Sequence, residues 1–394
     1  MGQNVHCIVK LASRKNTYLS FIQGTYMAKK IRVGILCGGK SAEHEISLIS
    51  AKSVIEALDK EKYEIHIIGI DKSGAWHLRD NARFLRHAED PKLIQLSGEK
   101  TTLALIPRDE RKDIVSYHQN QFGAALGLDV IFPILHGTYG EDGTVQGLLK
   151  MAQVPFVGAG VLGSAIGMDK DVMKRLLQQA GIPIARFLTL HSHHKQRGSF
   201  REISEHLGLP FFIKPANLGS SVGISKVKSE EDFLPALEKA FRFDRKIILE
   251  EFIPGREIEC AVLGNEHPIA SLPGELIPTH EFYSYEAKYV DPEGAHFKIP
   301  AELSEECVLS IQMMAIEAFQ ALCCEGMARV DFFLKKDGEL FINEINTIPG
   351  FTKISMYPKL WAASGMPYSE LLDHLIHLAL DRYEKEKKVQ TIYC

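Results

Sequence analysis

Four side chains in the last third of the chain could act on one centre: Arg329 and Asp331 in MARVDFFL, and Glu344 and Asn346 in FINEINT. Between these runs lies Asp337-Gly338, a favoured pair for a two-residue β-turn flanked by alternating strands. Pairing outward from that turn sets Lys336 against Glu339, Asp331 against Glu344 and Arg329 against Asn346. Strand side chains alternate, so these four chemical residues share one face, while Ala328, Val330, Phe332, Leu334, Phe341 and Ile345 fill the other. Carboxylates directly opposed across a hairpin repel unless something compensates. Carboxylate and amide oxygens suit Mg²⁺ or Mn²⁺, which commonly share their shell with substrate phosphates. The plainer alternative is a solvated strand face on which Arg329 neutralises Asp331.

Phosphate chemistry is suggested by Lys214 followed by the loop PANLGSSVG, residues 215–223. Glycines let backbone N–H groups approach oxyanions, and Ser220 and Ser221 add hydroxyl donors. The lysine precedes the glycines, so this is not a Walker A loop; an ordinary surface loop is the alternative. The same stretch matches GxSxG, but the nucleophile elbow of serine hydrolases needs strand, turn and helix, whereas a second strand follows Gly223. Two further polar loops are GGKSAEHE, carrying Glu43, and HGTYGEDG, carrying His136. A carboxylate there could complement a helix dipole, hold a substrate ammonium or orient a hydroxyl. Together the loops describe a small-molecule pocket. The aromatic connection FYSYEAKY, residues 282–289, could be a packed loop; beside a reactive site it reads as a lid that excludes water, as any water-labile intermediate would require.

The elements that must position these residues follow from periodicity. Ile31–Cys37, Tyr63–Ile70 and Asp129–Leu135 are apolar strands, and an amphipathic helix is predicted over Ser47–Leu58. Strands alternating with helices imply a parallel sheet, with ligands at the carboxyl ends of its strands. Gly38-Gly39 and His136-Gly137 lie at such ends. A helix opened by Met168-Asp169-Lys170 is predicted to run to Gln179, stopped by Gly181. Strands at Phe211–Lys214 and Ile247–Ile253 and helices at Ser229–Ala240 and Ser304–Leu322 follow. Lys72–Asn120 is polar and weakly periodic, and reads as variable decoration.

At 394 residues with 45% hydrophobic and 24% charged content, the chain has the length of two or three globular domains. A net charge of −4 gives no reason to expect nucleic acid or an anionic membrane as partner. No apolar run reaches transmembrane length. Seven cysteines, without CxxC spacing, fit a reducing, cytoplasmic location. Residues 1–26 read as an extension without function or fold of its own, and Met27 as a natural start.

Taken together, GGKSAEHEISL, HGTYGEDGTVQG, MDKDVMK, KPANLGSSVGISKV, EFIPGREIECAVLG, FYSYEAKY, MARVDFFL and NEINTIPGFT resemble the D-alanine:D-alanine ligases of the ATP-grasp superfamily, from about Ile31 to about Asp381. The resemblance implies an ATP-grasp fold of three α/β domains: a Rossmann-like N-terminal domain at 27–157, a central subdomain at 158–249 and a C-terminal subdomain at 250–394. It implies ATP and two Mg²⁺ (or Mn²⁺), the substrate D-alanine and a homodimer. Asp331, Glu344 and Asn346 match metal ligands, with Glu344 bridging. Arg329 and the Gly350 N–H match groups that stabilise a tetrahedral intermediate. Lys170, Lys214 and Lys288 match phosphate-binding lysines, with Ser221 in the phosphate loop. Glu250, Phe252, Ile253 and Glu257 match residues around adenine and ribose. Glu43 matches the binder of the first D-alanine's ammonium, in a triad with Ser220 and Tyr289. His136 matches a neighbour of that site, and Ser355 and Met356 match the second D-alanine position. Tyr289 in the lid resembles the dipeptide-forming type; a D-alanine:D-lactate or D-alanine:D-serine ligase is the alternative.

Overall fold

Ile31–Gly38 is apolar along most of its length, as a strand covered on both faces must be. In the computed structural model it lies between Tyr63–Ile70 and Val130–Ile134, parallel to both. The structure describes residues 29–79, 84–88, 90, 92–98, 101–106, 113–118, 121–194, 198–278 and 295–390. Trp76–Arg79, Thr101–Ile106, Asp113–His118 and Gln121–Ala125 extend the sheet antiparallel to seven strands, so the weakly periodic segment supplies one of its edges. The predicted helix begins at His44, three residues ahead of its first clear apolar period, and runs to Ala57. Glu43 thus stands at the helix start and at the carboxyl end of the first strand.

A four-stranded antiparallel sheet follows, in the order Phe187–His191, Lys246–Glu251, Phe211–Pro215, Ser225–Val227. The helix predicted to open at Met168-Asp169-Lys170 does so, with Lys170 its first residue, and a separate helix precedes it. Val161–Met168 ends, Asp169 turns extended, and its carboxylate accepts from Val172 N–H to cap Lys170–Gln179. An aspartate satisfies orphan N–H groups better as a cap than in mid-helix. The break leaves Lys170 in the first turn, its N–H donating to Ala216 O across 2.9 Å, which ties the new helix to the phosphate-type loop.

The third sheet is antiparallel, in the order Ala295–Lys298, Gly274–Pro278, Arg256–Gly264, Gly326–Leu334, Leu340–Asn346. The helix Glu305–Ala321 packs Ile311, Ala315 and Phe319 into a core cluster with Ile258, Val330 and Phe332. That leaves the opposite face for chemistry. The hairpin pairs Asp331 with Glu344 and Arg329 with Asn346, as predicted, but by a different route. The turn is one residue longer: Lys335 faces Glu339, and Lys336, Asp337 and Gly338 (φ +91°) lie between them. A register shift between Asp331 and Phe332 leaves Asn343 as the extra residue of a bulge. The longer turn and the bulge cancel at the site, but between them the faces are exchanged. Leu340 and Ile342 are buried, and Phe341, expected in the core, is only half-buried.

The C-terminal helix Tyr368–Glu386 returns to the first sheet. Leu371, Leu372, Leu375 and Ile376 are fully buried in one cluster with Val33, Ile35 and Phe132. Asp373 accepts from Tyr63 Oη and Lys62 Nζ, and Arg382 donates to the carbonyls of Phe156 and Gly158.

Candidate active site

Alternation on the strands Arg256–Gly264, Gly326–Leu334 and Leu340–Asn346 brings Glu257, Glu259, Arg329, Asp331, Glu344 and Asn346 to one wall of a cavity of about 240 Å³. Arg329 grips Asp331 with both limbs of its fork, Nε to Oδ1 and Nη2 to Oδ2, each at 2.7 Å. Its Nε also lies 2.9 Å from a Glu259 oxygen. Burial opposes the Arg329 charge, but Asp331 and Glu259 reverse that and hold it fully protonated. Asn346 Nδ2 donates to Asp331 Oδ2 across 3.0 Å. Lys170 lies 3.6 Å from Glu344 and donates to Leu218 O at 2.7 Å, so it joins the hairpin to the 215–223 loop. Arg329 does neutralise Asp331, yet the face lines a cavity and is not an open surface.

The far strand ends complete the enclosure. Glu43 lies 7% exposed and accepts a hydrogen bond from the Ser220 hydroxyl. Ser220 and Ser221 both have positive φ, at 50° and 61°, a conformation unusual for non-glycine residues and common in loops held to a functional shape. His136 is buried; burial lowers its pKa, against the pull of Glu43, so the ring is held neutral. Its Nδ1 lies 3.2 Å from Ile348 O and its Nε2 3.2 Å from Ser50 Oγ, which fits Nδ1–H donating and Nε2 accepting. The same cavity is lined by Gly350, Ser355 and Met356. A Cβ at Gly350 would meet Ser355 Oγ at 2.7 Å, and Ser355 Oγ accepts from Thr352 N–H at 3.1 Å.

A separate buried charge group lies on the four-stranded sheet. Glu250 meets Lys214 at 3.2 Å and Lys174 at 3.5 Å. Burial alone would raise the Glu250 pKa; the two lysines overcome that and hold it ionised. Phe252 is 39% exposed beside Phe212, with Lys226 Nζ 4.5 Å from its ring centre, and Ile253 is buried next to it. Lys170, Lys214, Ser221, Glu250, Phe252 and Ile253 are not among the residues lining the 240 Å³ cavity. Lys288 and Tyr289, with the predicted lid, lie outside the described residues.

Three residues escape the sequence reading. Glu259 follows Glu257 by two, the spacing that puts both on one strand face. Lys174 follows Lys170 by one helical turn. Glu141, inside the HGTYGEDG loop, lines the cavity and accepts from the N–H groups of Gly137, at 2.6 Å, and Ile348. Burial, and then the Glu43 charge, push its pKa up to about 8.

The donor set suits a hard divalent cation, since Asp331 and Glu344 face each other and Asn346 adds an amide. Among the described residues, no three or more His, Cys, Asp or Glu side chains gather into a cation cage. Two carboxylates and an amide fit Mg²⁺ shared with phosphate oxygens rather than a site built wholly of protein.

The descriptions "D-ala D-ala ligase N-terminus" and "D-ala D-ala ligase C-terminus" match residues 32–159 and 176–377. A D-alanine--D-alanine ligase of Oceanobacillus iheyensis is 56% identical over 362 residues, 92% of this chain and 98% of the relative. The solved D-alanine-D-alanine ligase from Coxiella burnetii superposes with a TM-score of 0.79 at 40% identity, covering 92% of this chain and 97% of that one. The VanG D-Ala:D-Ser ligase from Enterococcus faecalis gives 0.76 at 34% identity, covering 89% of this chain and 100% of that one.

Proposed function

Because the chain belongs to the D-alanine:D-alanine ligase family, we propose that the cavity is where two D-alanine molecules are joined, with ATP consumed, into D-alanyl-D-alanine for peptidoglycan synthesis. A carboxylate is inert to amines until made a better acyl donor. The first D-alanine carboxylate therefore attacks the γ-phosphate, giving an acyl phosphate and ADP, and the second amine displaces phosphate. The observation that carries this is one enclosure holding an ammonium-type site, Glu43 with Ser220, and a phosphoryl-type wall, Arg329 with Asp331, Glu344 and Asn346.

In this reading Glu43 holds the first ammonium, with Ser220 and Tyr289 orienting it, and His136 braces the Ile348–Gly350 turn beside it. Arg329 and the Gly350 N–H stabilise the tetrahedral oxyanion. Ser355 and Met356 seat the second D-alanine. Lys170, Lys214, Lys288 and Ser221 take the phosphates; Glu250, Phe252, Ile253 and Glu257 surround adenine and ribose. Two Mg²⁺ or Mn²⁺ on Asp331, Glu344 and Asn346 would neutralise charge on the transferring group. The three-domain division at 27–157, 158–249 and 250–394, a homodimer and a cytoplasmic location complete the proposal. The separate sheets support the division, and no described helix is long and apolar enough to cross a membrane.

Phosphate release tests the acceptor. Turnover should be fastest with D-alanine near neutral pH, and faster turnover with D-lactate or D-serine would replace this reading by the sister activity.

A further inference from the structure

Arg329 and a divalent cation would want the same atoms. Both oxygens of Asp331 face guanidinium N–H groups at 2.7 Å and Oδ2 also accepts from Asn346 Nδ2, so most of the lone-pair directions a cation would use are taken. If both oxygens of Asp331 are to serve a cation, Arg329 must let go, and its guanidinium, on a side chain only 20% exposed, is costly to leave without an acceptor. Glu259 supplies the alternative acceptor. It is 6% exposed, lines the cavity and lies 2.9 Å from Arg329 Nε. Its strand is central: Glu259 is paired with Asp331 on one side and Gly274 on the other, so its backbone is fixed. Asp331, by contrast, adjoins the bulge.

We propose that Glu259 is a positioning residue that receives the Arg329 guanidinium when Asp331 is handed to the cation, keeping Arg329 aimed into the cavity for the developing oxyanion. The inference rests on the metal reading above and deepens it. Without Glu259, Arg329 stays committed to Asp331 and competes with the cation.

Mn²⁺ binding to the full chain loaded with ADP, read by electron paramagnetic resonance of free Mn²⁺, provides the test. Glu259→Gln should weaken Mn²⁺ binding about tenfold and raise the Mg²⁺ concentration for half-maximal turnover similarly, with kcat recovering only in part at saturating Mg²⁺ because Arg329 then has no carboxylate to aim it. In the Arg329→Met background, Glu259→Gln should have no further effect on Mn²⁺. Equal weakening in both backgrounds would overturn the proposal, because Glu259 would then act directly as charge or ligand. Unchanged binding in Glu259→Gln alone would overturn it too. Glu259→Asp keeps the charge on a shorter stem and should lie between; it serves as the test if the glutamine variant does not fold. Asp331→Asn separates the layers: unaltered Mn²⁺ binding there would remove the metal reading itself.

Discussion

Glu141 shows how much one carboxyl group depends on its surroundings. Its pKa lies near 8 against an ordinary 4.5, so between those values the folded protein holds a proton that the unfolded chain has lost. Its contribution to stability is fully present below about 4.5 and falls as pH rises toward about 8. Glu141→Gln removes that dependence. The unfolding free energy of the variant minus that of the unaltered protein should therefore increase with pH across this window, as measured by denaturant titration at pH 5, 6.5 and 8. A flat difference would mean that Glu141 is ionised throughout. The sequence exposed Arg329, Asp331, Glu344 and Asn346 because period-two alternation sorts a strand's residues by face. It gave no comparable sign for Glu141, whose burial is set by loops that meet only in the fold. Glu259 was within reach, since the spacing Glu257-x-Glu259 applies the same alternation to a neighbouring strand.

At the level of elements, the hairpin reached the predicted pairing at its chemical end through two departures that offset one another. A three-residue turn ending in Gly338 replaces the two-residue one, and the bulge at Asn343 restores the register before Glu344. Neither leaves a strong local signature: Asp-Gly suits both turn lengths, and a bulge costs one unpaired residue. Phe341 was misplaced for this reason alone. Deleting Asn343 leaves Ile342 opposite Phe332 and Glu344 opposite Asp331, but it removes the local bend. The expected outcome is a folded protein, with Tm lowered by only a few degrees and Mn²⁺ affinity reduced about tenfold. Loss of folding would mean that the bulge sustains the sheet rather than aiming the site. The helix start at Asp169 is legible, because an aspartate ahead of an amphipathic run is a good cap.

For the whole molecule, the contact that sequence could not reveal is the longest in range. The helix Tyr368–Glu386 completes the core of a sheet whose first strand starts at Ile31. Burying Leu371, Leu372, Leu375 and Ile376 is worth about 1.5–3 kcal/mol each, and typical domain stability is about 5–15 kcal/mol. A chain ending at Pro367 should therefore lose cooperative thermal unfolding and aggregate. A well-folded truncation with only slightly lowered Tm would show the helix to be an appendage. During synthesis the same closure imposes an order of events. The opening strand leaves the ribosome more than 300 residues before the helix that seals it. The nascent sheet must wait with an oily flank uncovered, so slow elongation or an early stop would yield a sticky, chaperone-dependent fragment rather than a smaller working enzyme.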